Sequence, residues 1–424
     1  MNFRGYLFKI FQFFAGREIL KDYKRIKDHF SDKKDNSESL SKLLYHAKSS
    51  TNYYSSFDAT SLNSFPVNSK VIIKSNFESF LSVKFRDKRL IRMTTSGSTG
   101  TPFTVFQDRQ KKIRNYSDTL FFSELGGFNL GNRLLYFKIW AKQKMQSPFR
   151  YWLQNIVPVD VLYLNETEIE TLLQGLKKKS SQMHSVLGYV SALEQIIRYC
   201  EKNKITDLGV KFSGVITMSE GLSPETRQKL RELFKCQVVS RYSNLENGII
   251  AQQEISSDNF LVNTASYILE IFHPERDEAV EDGFIGRIVV TDLYNYAMPM
   301  IRYDTGDFGV REIKNGKVYL KTIEGRKLDL LFDTQGNLVS SYIMYKNMWQ
   351  YTELDQYQLV QTGERSYEFK INCPKGFTRE MQLVEEFKTY LGADADFKVI
   401  YVNEIPLLDS GKRRKTVNLY KNIV

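Results

Sequence analysis

Residues 94–102 read Thr94-Thr95-Ser96-Gly97-Ser98-Thr99-Gly100-Thr101-Pro102 and carry almost no apolar surface. They cannot build a core, but they are dense in backbone N–H and side-chain O–H donors. Glycine lets a backbone approach a ligand closely and adopt positive φ, so such a segment suits the wrapping of a polyphosphate. Leu90, Ile91 and Met93 before it, and Phe103, Val105 and Phe106 after it, have strand-like spacing. The segment therefore reads as a loop between two strands. It is not a Walker A loop, which ends in Gly-Lys-Ser/Thr and opens a helix; here Thr101-Pro102 follow Gly100, and Pro102 has no N–H to give. An exposed hairpin loop fits the same composition, so the segment alone leaves both readings open.

Four further segments follow in order: Tyr242-Ser243-Asn244-Leu245-Glu246, Arg302-Tyr303-Asp304-Thr305-Gly306-Asp307, Gly325-Arg326-Lys327-Leu328-Asp329 and Ser410-Gly411-Lys412. Near the amino terminus stand Leu43-Leu44-Tyr45-His46-Ala47 and Asn52-Tyr53-Tyr54. Together these motifs resemble the adenylate-forming superfamily of acyl-CoA synthetases, adenylation domains and luciferases. The branch most similar is the phenylacetate–CoA ligase-like one, which includes proteins of capsular polysaccharide loci. The resemblance spans roughly residues 40–420.

The resemblance implies an α/β fold: a large multi-layer N-terminal adenylate-forming domain over 1–325 and a small mobile α+β C-terminal lid over 326–424. It implies attack of a carboxylate on the α-phosphate of ATP, with positioned donors and cations supplying most of the catalysis. Thr95, Ser96, Gly97, Ser98, Thr99, Gly100 and Thr101 would hold the β- and γ-phosphates. Phe103 stands where many relatives carry Lys. Tyr242 and Ser243 would border the adenine, with Ser219 and Glu220 nearby. Asp307 would accept hydrogen bonds from the ribose hydroxyls, and Arg326 would add a contact. Glu246 would be catalytic and bind Mg²⁺, a hard cation that prefers oxygen ligands. Lys412 would come from the lid to the α-phosphate, and Asp329 would be the hinge. Leu245 replaces a Thr that contacts the α-phosphate, which questions that contact and leaves open a degenerate homologue that binds nucleotide without catalysis. The acid pocket would draw on Tyr189, Ser213, Gly214, Val215 and Ser219. Gln252, Gln253, Glu254 and Asn263 stand where some relatives place Cys/His metal ligands, so no such metal site is expected. The partners implied are a small carboxylic acid or amino acid, and coenzyme A or a sugar amine or hydroxyl as acyl acceptor. A homodimer is compatible with all of this.

Bulk properties lead one to expect a soluble globular protein. The 424 residues suffice for two or three domains, with 42% hydrophobic and 26% charged residues. Cys200, Cys236 and Cys373 are far apart and form no CxxC, which argues for a reducing cytoplasm. The net charge is +11, but most Lys and Arg are interspersed with acids and no nucleic-acid motif is present, so no nucleic-acid partner is expected. Residues 1–35 carry nine Lys/Arg against five acids. Within 1–14, Phe3, Tyr6, Leu7, Phe8, Ile10, Phe11, Phe13 and Phe14 surround Arg4 and Lys9 in a stretch too short to span a bilayer. An amphipathic helix peripheral at the inner membrane face, and a helix docked on the core, both fit it. His184 and His273 read as structural histidines.

These groups need elements to hold them. Residues 30–42 read as a polar loop between N-terminal helices, 109–126 as a helix and 133–140 as a strand. In 184–199 the apolar residues fall at helical spacing. Residues 210–217 form a strand, Ser223-Pro224 starts a helix with Ser223 as N-cap, and Val238-Val239 starts a strand that delivers Tyr242. From 260 to 324 the pattern becomes strands and turns, with Asn315-Gly316 a hairpin turn. Beyond Gly325 the order is strand, helix, strand, strand, helix, strand.

Overall fold

The computed structural model describes residues 18–32, 35–95, 103–140, 147–326, 331–339, 342–351, 353–374, 376–406 and 414–420. Residues 1–14, 96–102, Asp329 and Lys412 lie outside the described residues.

The chain divides into two compact units. The larger comprises Met1–Glu220, Arg227–Thr305 and Gly309–Thr322; the smaller comprises Gly221–Thr226, Gly306–Phe308 and Ile323–Val424. The larger begins with helices α1 (Glu18–Asp32) and α2 (Ser37–Ser50). Most of 30–42 is thus helical, not a loop as the polar composition suggested. Its polar residues line one face, where Lys42 pairs with Glu38, while Leu43, Leu44 and Ala47 are buried on the other. Ile26 of α1 packs with Phe121, Phe122 and Ile249, and the Phe30 ring stacks on Phe121 at 4.9 Å. Short helices α3 (Lys70–Ser75) and α4 (Phe77–Phe80) follow. Strands β1 (Ile91–Thr95) and β2 (Phe103–Gln107) then pair antiparallel, Thr95 opposite Phe103, as the loop reading requires. Asp108 caps α5 (Arg109–Leu125), accepting from Lys111 N at 2.8 Å.

From there the chain alternates strand and helix: β3 (Arg133–Lys138), α6 (Pro148–Gln154), β4 (Ile156–Asp160), α7 (Glu166–Lys177), β5 (Met183–Tyr189), α8 (Val190–Lys202), β6 (Lys211–Met218), α9 (Pro224–Phe234) and β7 (Val238–Asn244). Parallel pairing joins β3 to β4 and β5, β5 to β6, and β6 to β7. Ser223 caps α9 through Thr226 N, as the Ser-Pro pair predicts. The helix expected over 184–199 is in fact the end of β5 followed by α8. Residues 190–199 are helical as expected, while Val186 is interior in a strand, and the adjacent apolar pair Val186-Leu187 fits either period. The sequence then turns antiparallel through β8 (Gly248–Gln253), β9 (Phe260–Val262), β10 (Tyr267–Phe272), β11 (Ile285–Asp292), β12 (Tyr303–Lys314) and β13 (Lys317–Arg326). Asn315 and Gly316 both take positive φ between the last two, as their hairpin reading demands. All of β3 to β13 form one sheet of 11 strands in the order β10-β11-β12-β13-β9-β8-β7-β6-β5-β3-β4. The end of α5 sits hard on this sheet: a Cβ added at Gly214 would lie 2.2 Å from the Gly126 carbonyl oxygen.

The smaller unit has its own core. A hairpin of β14 (Leu331–Phe332) and β15 (Leu338–Val339) leads to α10 (Tyr342–Asn347). A four-stranded sheet follows in the order β18-β17-β16-β19, from β16 (Gln356–Gln361), β17 (Ser366–Asn372), β18 (Asp396–Tyr401) and β19 (Thr416–Asn418). Helix α11 (Glu380–Leu391) makes the crossover that the parallel pairing of β17 and β18 needs. Leu359, Phe369, Ile371, Leu383, Phe387 and Leu391 are buried together. The sequence reading anticipated this α+β unit but not β15 or β19, which are too short to carry a periodic signal.

Charge is buried beneath the larger sheet. Lys111 Nζ of α5 lies 2.6 Å from Asp292 Oδ2, both side chains with no exposed surface. Lys111 also donates to the Tyr267 hydroxyl at 3.0 Å. Arg114 donates to Ser266 Oγ and to the Ala265 carbonyl. Burial holds the Asp118 carboxyl above its usual range although Arg114 and Lys111 oppose the shift. Removing one member of such a pair strands the other in a low dielectric. Lys111→Met is therefore expected to lower the stability of the larger unit by about 3–5 kcal/mol. Urea unfolding should show this as a lower midpoint, and an unchanged midpoint would contradict it.

Candidate functional site

In a parallel sheet, ligands collect beyond the carboxyl ends of the strands. The turn 245–247 between β7 and β8 lies there and carries Glu246. Gln107 at the end of β2 donates to the Glu246 carbonyl at 2.8 Å, and Asn247 N bonds Asn244 Oδ1. The Tyr267 hydroxyl donates to the Asn247 carbonyl at 2.5 Å, tying the turn to the buried lysine network.

Held in this way, Glu246 is no surface acid. Its side chain is 2% exposed, and Oε1 accepts from the Tyr303 hydroxyl at 2.7 Å. Lys70 Nζ approaches the same oxygen to 3.1 Å from a side chain 39% exposed. The Phe103 ring lies parallel to Tyr303 at 6.1 Å, and the Lys70 ammonium stands 5.9 Å from the Phe103 centroid. A carboxylate, a phenol and an ammonium thus meet at the base of the β1–β2 hairpin.

Lys70 is the residue the sequence reading missed. Its position is set by Asn68, whose backbone bridges β12 beside Tyr303: Asn68 N donates to the Arg302 carbonyl and Asp304 N to the Asn68 carbonyl. Tyr53 donates to Asn68 Oδ1, and Asn68 Nδ2 donates to the Tyr54 hydroxyl, so the aromatic pair noted in the sequence holds the strand that delivers Lys70. Ser69 caps α3 through Ile72 N, which makes Lys70 the first helical residue. The sequence does carry a signal for it: Ser69 precedes Lys70 and the apolar Val71-Ile72-Ile73, a helix start 33 residues upstream of Phe103.

The other expected residues distribute unevenly. Tyr242 is half-buried on β7 at a bulge, and its hydroxyl donates to Thr305 Oγ1 at 3.3 Å. Ser243 follows it, half-buried, opposite Ile249. Leu245 is 53% exposed. Ser219 leaves the end of β6 in the left-handed region, φ 69°, a conformation that costs a non-glycine residue energy. Glu220 was expected near the nucleotide, but its two oxygens accept from Ser191 N and Ser191 Oγ at 2.7 and 3.0 Å. It caps α8, which has no side-chain cap of its own, and fixes the turn that presents Ser219. Burial, with Tyr136 and Glu220 beside it, raises the Tyr189 hydroxyl to about 12, so Tyr189 is a neutral donor at the β5 end. Ser213, Gly214 and Val215 sit near the opposite end of β6, where Ser213 bonds Ser185 and Gly214 is pressed on Gly126. This part of β6 packs on β5 and on the end of α5. Asp307 is half-buried just after Gly306, whose φ of 81° interrupts the strand alternation. Arg326 ends β13. Ser96, Gly97, Ser98, Thr99, Gly100, Thr101 and Lys412 lie outside the described residues, and Thr95 is placed by its backbone only. His184 is buried with Nε2 at the Lys179 carbonyl, and His273 Nδ1 accepts from Glu275 N, both structural roles.

Comparison with known proteins gives this geometry a frame. No protein-family model matches the chain. It is 23% identical over 418 residues to Protein CapK of Staphylococcus aureus, covering 94% of this chain and 88% of that protein. Its fold is similar to 2-hydroxyisobutyryl-CoA ligase in complex with 2-HIB-AMP, with a TM-score of 0.69, 17% identity, and coverage of 90% and 88%. The same ligase in an open conformation with CoA gives a TM-score of 0.58. MatB from Rhodopseudomonas palustris with bound ATP gives 0.54 at 17% identity, covering 76% of this chain and 66% of that one. The chain has the mixed α/β fold of the adenylate-forming ligases.

The two groups on Glu246 should separate in a stability measurement. Tyr303→Phe removes a buried bond to a carboxylate and is expected to cost about 1.5–3 kcal/mol. Lys70→Ala removes a solvent-screened partner and is expected to cost no more than about 1 kcal/mol. Denaturant midpoints of the two variants would establish the order, and the reverse order would make Lys70 structural.

Proposed function

We propose that this protein is an ATP-dependent ligase that activates a small carboxylic acid as its adenylate. The observation that carries the reading is Glu246, a desolvated carboxylate bound by Tyr303 and Lys70 at the base of a hydroxyl-rich hairpin. The fold, which is that of adenylate-forming ligases, supports it. In the reaction a carboxylate oxygen attacks the α-phosphorus, a P–O bond forms, and pyrophosphate leaves. Coenzyme A is the acceptor we favour: its thiol then takes the acyl group and releases AMP. Transfer to a sugar amine or hydroxyl is the second reading, favoured by the resemblance of the motifs to capsular-locus proteins.

Glu246 is suited to Mg²⁺ in the way such ions are held with nucleotides, by one or two carboxylates with phosphate oxygens and water. When bound, the ion would neutralise phosphate charge. Lys70 stands on the same oxygen, but its long stem is partly in solvent. In the nucleotide complex its ammonium would leave Glu246 and pair with a phosphate, the role that Phe103 cannot take. Ser96, Ser98, Thr99 and Thr101 would surround the β- and γ-phosphates, Tyr242 would border the adenine, and Asp307 and Arg326 would hold the ribose. Lys412 would stabilise charge developing at the α-phosphate once its unit closes.

Binding and chemistry are tested apart. Millimolar Mg·ATP should raise the melting temperature, and Asp307→Ala should abolish that shift without lowering the ligand-free value. A panel of acids scored by pyrophosphate release should identify a substrate. Lys412→Ala should keep the ATP-induced shift and lose about 10²–10³ in pyrophosphate release, by analogy with loss of one transition-state donor. No nucleotide-linked stabilisation would overturn the whole reading. An unaltered rate in the Lys412 variant would overturn only the assignment of that lysine.

A further inference from the structure

Among the described residues three arginines are buried: Arg114, Arg241 and Arg302. Arg114 has Asp118 one helical turn away at 3.5 Å, and Arg302 pairs with Glu270 at 2.7 Å. Arg241 on β7 is 6% exposed and has no carboxylate within ion-pair reach among the described residues. Its Nε donates to Gln252 Oε1 at 2.8 Å and its Nη2 to Ser123 Oγ at 3.3 Å. Both acceptors are neutral, and the two bonds use two of the five N–H donors of a guanidinium. Nη1 donates to none of the described residues. Burial pulls the guanidinium down to about 10, so it keeps its charge at neutral pH. A buried cation ordinarily has an anion beside it, because neutral hydrogen bonds do not replace the hydration of a full charge.

The place of Arg241 in the sheet says which anion that is. Arg241 pairs with Met218 of β6, and Met218 with Tyr189 of β5, so the three lie in one row on one face. The row stands at the carboxyl ends of parallel strands, where ligands collect in such sheets. The end of α5 covers the same face one step below: a Cβ on Gly126 would lie 2.9 Å from the Ile216 side chain and 3.3 Å from Gln252 Nε2. Tyr136 of β3 is close enough that its phenol and the guanidinium act on each other's ionisation. Burial keeps the Tyr136 and Tyr189 phenols protonated. The row therefore offers N–H and O–H donors and a positive charge among apolar side chains. A carboxylate matches the guanidinium fork, whereas an ammonium would meet a like charge. Tyr242, the next residue of β7, alternates to the opposite face, so the charge stands one residue from the segment assigned to the nucleotide.

We propose that Arg241 binds a second carboxylate on the acid that this protein activates. The substrate is then a small dicarboxylic acid, with one carboxylate for the α-phosphate and the other for the guanidinium. The inference rests on the ligase reading above and narrows its substrate class. An amino acid whose ammonium falls at this row is disfavoured by the same charge.

The test uses the full chain, a series of short linear dicarboxylates and the monocarboxylates of equal length. Binding is read by isothermal titration with and without α,β-methylene-ATP, and turnover by pyrophosphate release with Mg·ATP. At least one dicarboxylate should bind wild type about tenfold or more tighter than its monocarboxylate partner. Arg241→Gln should weaken that dicarboxylate by about 10–100-fold, as loss of hydrogen bonds to a charged group requires, and leave the monocarboxylates largely unchanged. Arg241→Lys keeps the charge without the fork and should fall between. If Arg241→Gln does not fold, Arg241→Lys supplies the comparison. Dicarboxylate binding that is lost in Arg241→Gln, with no pyrophosphate released from any acid, supports the Arg241 site and strikes the ligation chemistry. Pyrophosphate release from monocarboxylates with no gain from a second carboxylate keeps that chemistry and overturns the proposal. So does binding of neither series by wild type. A variant that only lowers the melting temperature and retains the dicarboxylate preference assigns Arg241 to structure and overturns the proposal as well.

Discussion

A carboxylate kept out of water has to have its charge met where it stands, and in this protein that requirement falls on Glu246. Moving such a group from water into a protein interior is costly unless hydrogen bonds and an opposite charge replace the lost hydration. Tyr303 and Lys70 do this, and each comes from a distant part of the chain. Tyr303 opens β12, while Lys70 opens α3 and is placed there by Asn68 lying along the same strand. The turn itself is clamped from below by Gln107 and Tyr267. Two segments meet on one carboxylate oxygen, and two more hold the turn that carries it.

The buried polar layer under the turn serves the same end. Lys111, Asp292 and Tyr267 form a connected set whose last bond reaches the Asn247 carbonyl, one residue past Glu246. An ion pair of this kind adds little net stability over an apolar packing of similar volume, but it penalises any arrangement in which its partners separate. Position is what it contributes. The result is a turn that cannot drift between β7 and β8, at the place where the large sheet changes from parallel to antiparallel pairing.

At the base of the hairpin the lysine has an origin other than the one the resemblance implies. Phe103 lies at the hairpin base, packed parallel to Tyr303, where the resemblance leads one to expect a lysine. Lys70 brings an ammonium to within 5.9 Å of that ring from a different element. A long flexible stem tolerates such a change of origin, because the charge is a point with rotatable donors and not a fixed fork. Glu220 illustrates a second use of charge: both its oxygens accept from Ser191 and it caps α8.

Local physics was legible in the sequence. The Ser/Thr/Gly run between two apolar alternations implied the β1–β2 hairpin, Ser223-Pro224 implied the start of α9, and Asn315-Gly316 implied a turn with two positive φ values. Each depends on the chain within a few residues, where steric and capping preferences are strong. The ordered motifs likewise led to the fold. Residues 190–199 form the helix expected of them, but 184–189 belong to β5, because Val186 and Leu187 fit either period and only pairing with β3 and β6 decides it. The polar stretch 37–42 was misread because its buried partners begin at Leu43, beyond the window. Glu246 was named from its motif, but its burial, its phenol and its ammonium were not, since Lys70 and Tyr303 are separated from it by 176 and 57 residues. Which groups might do chemistry is a property of composition and spacing; which of them share one desolvated oxygen is decided by the sheet, because only tertiary packing brings distant charges together and removes the water between them.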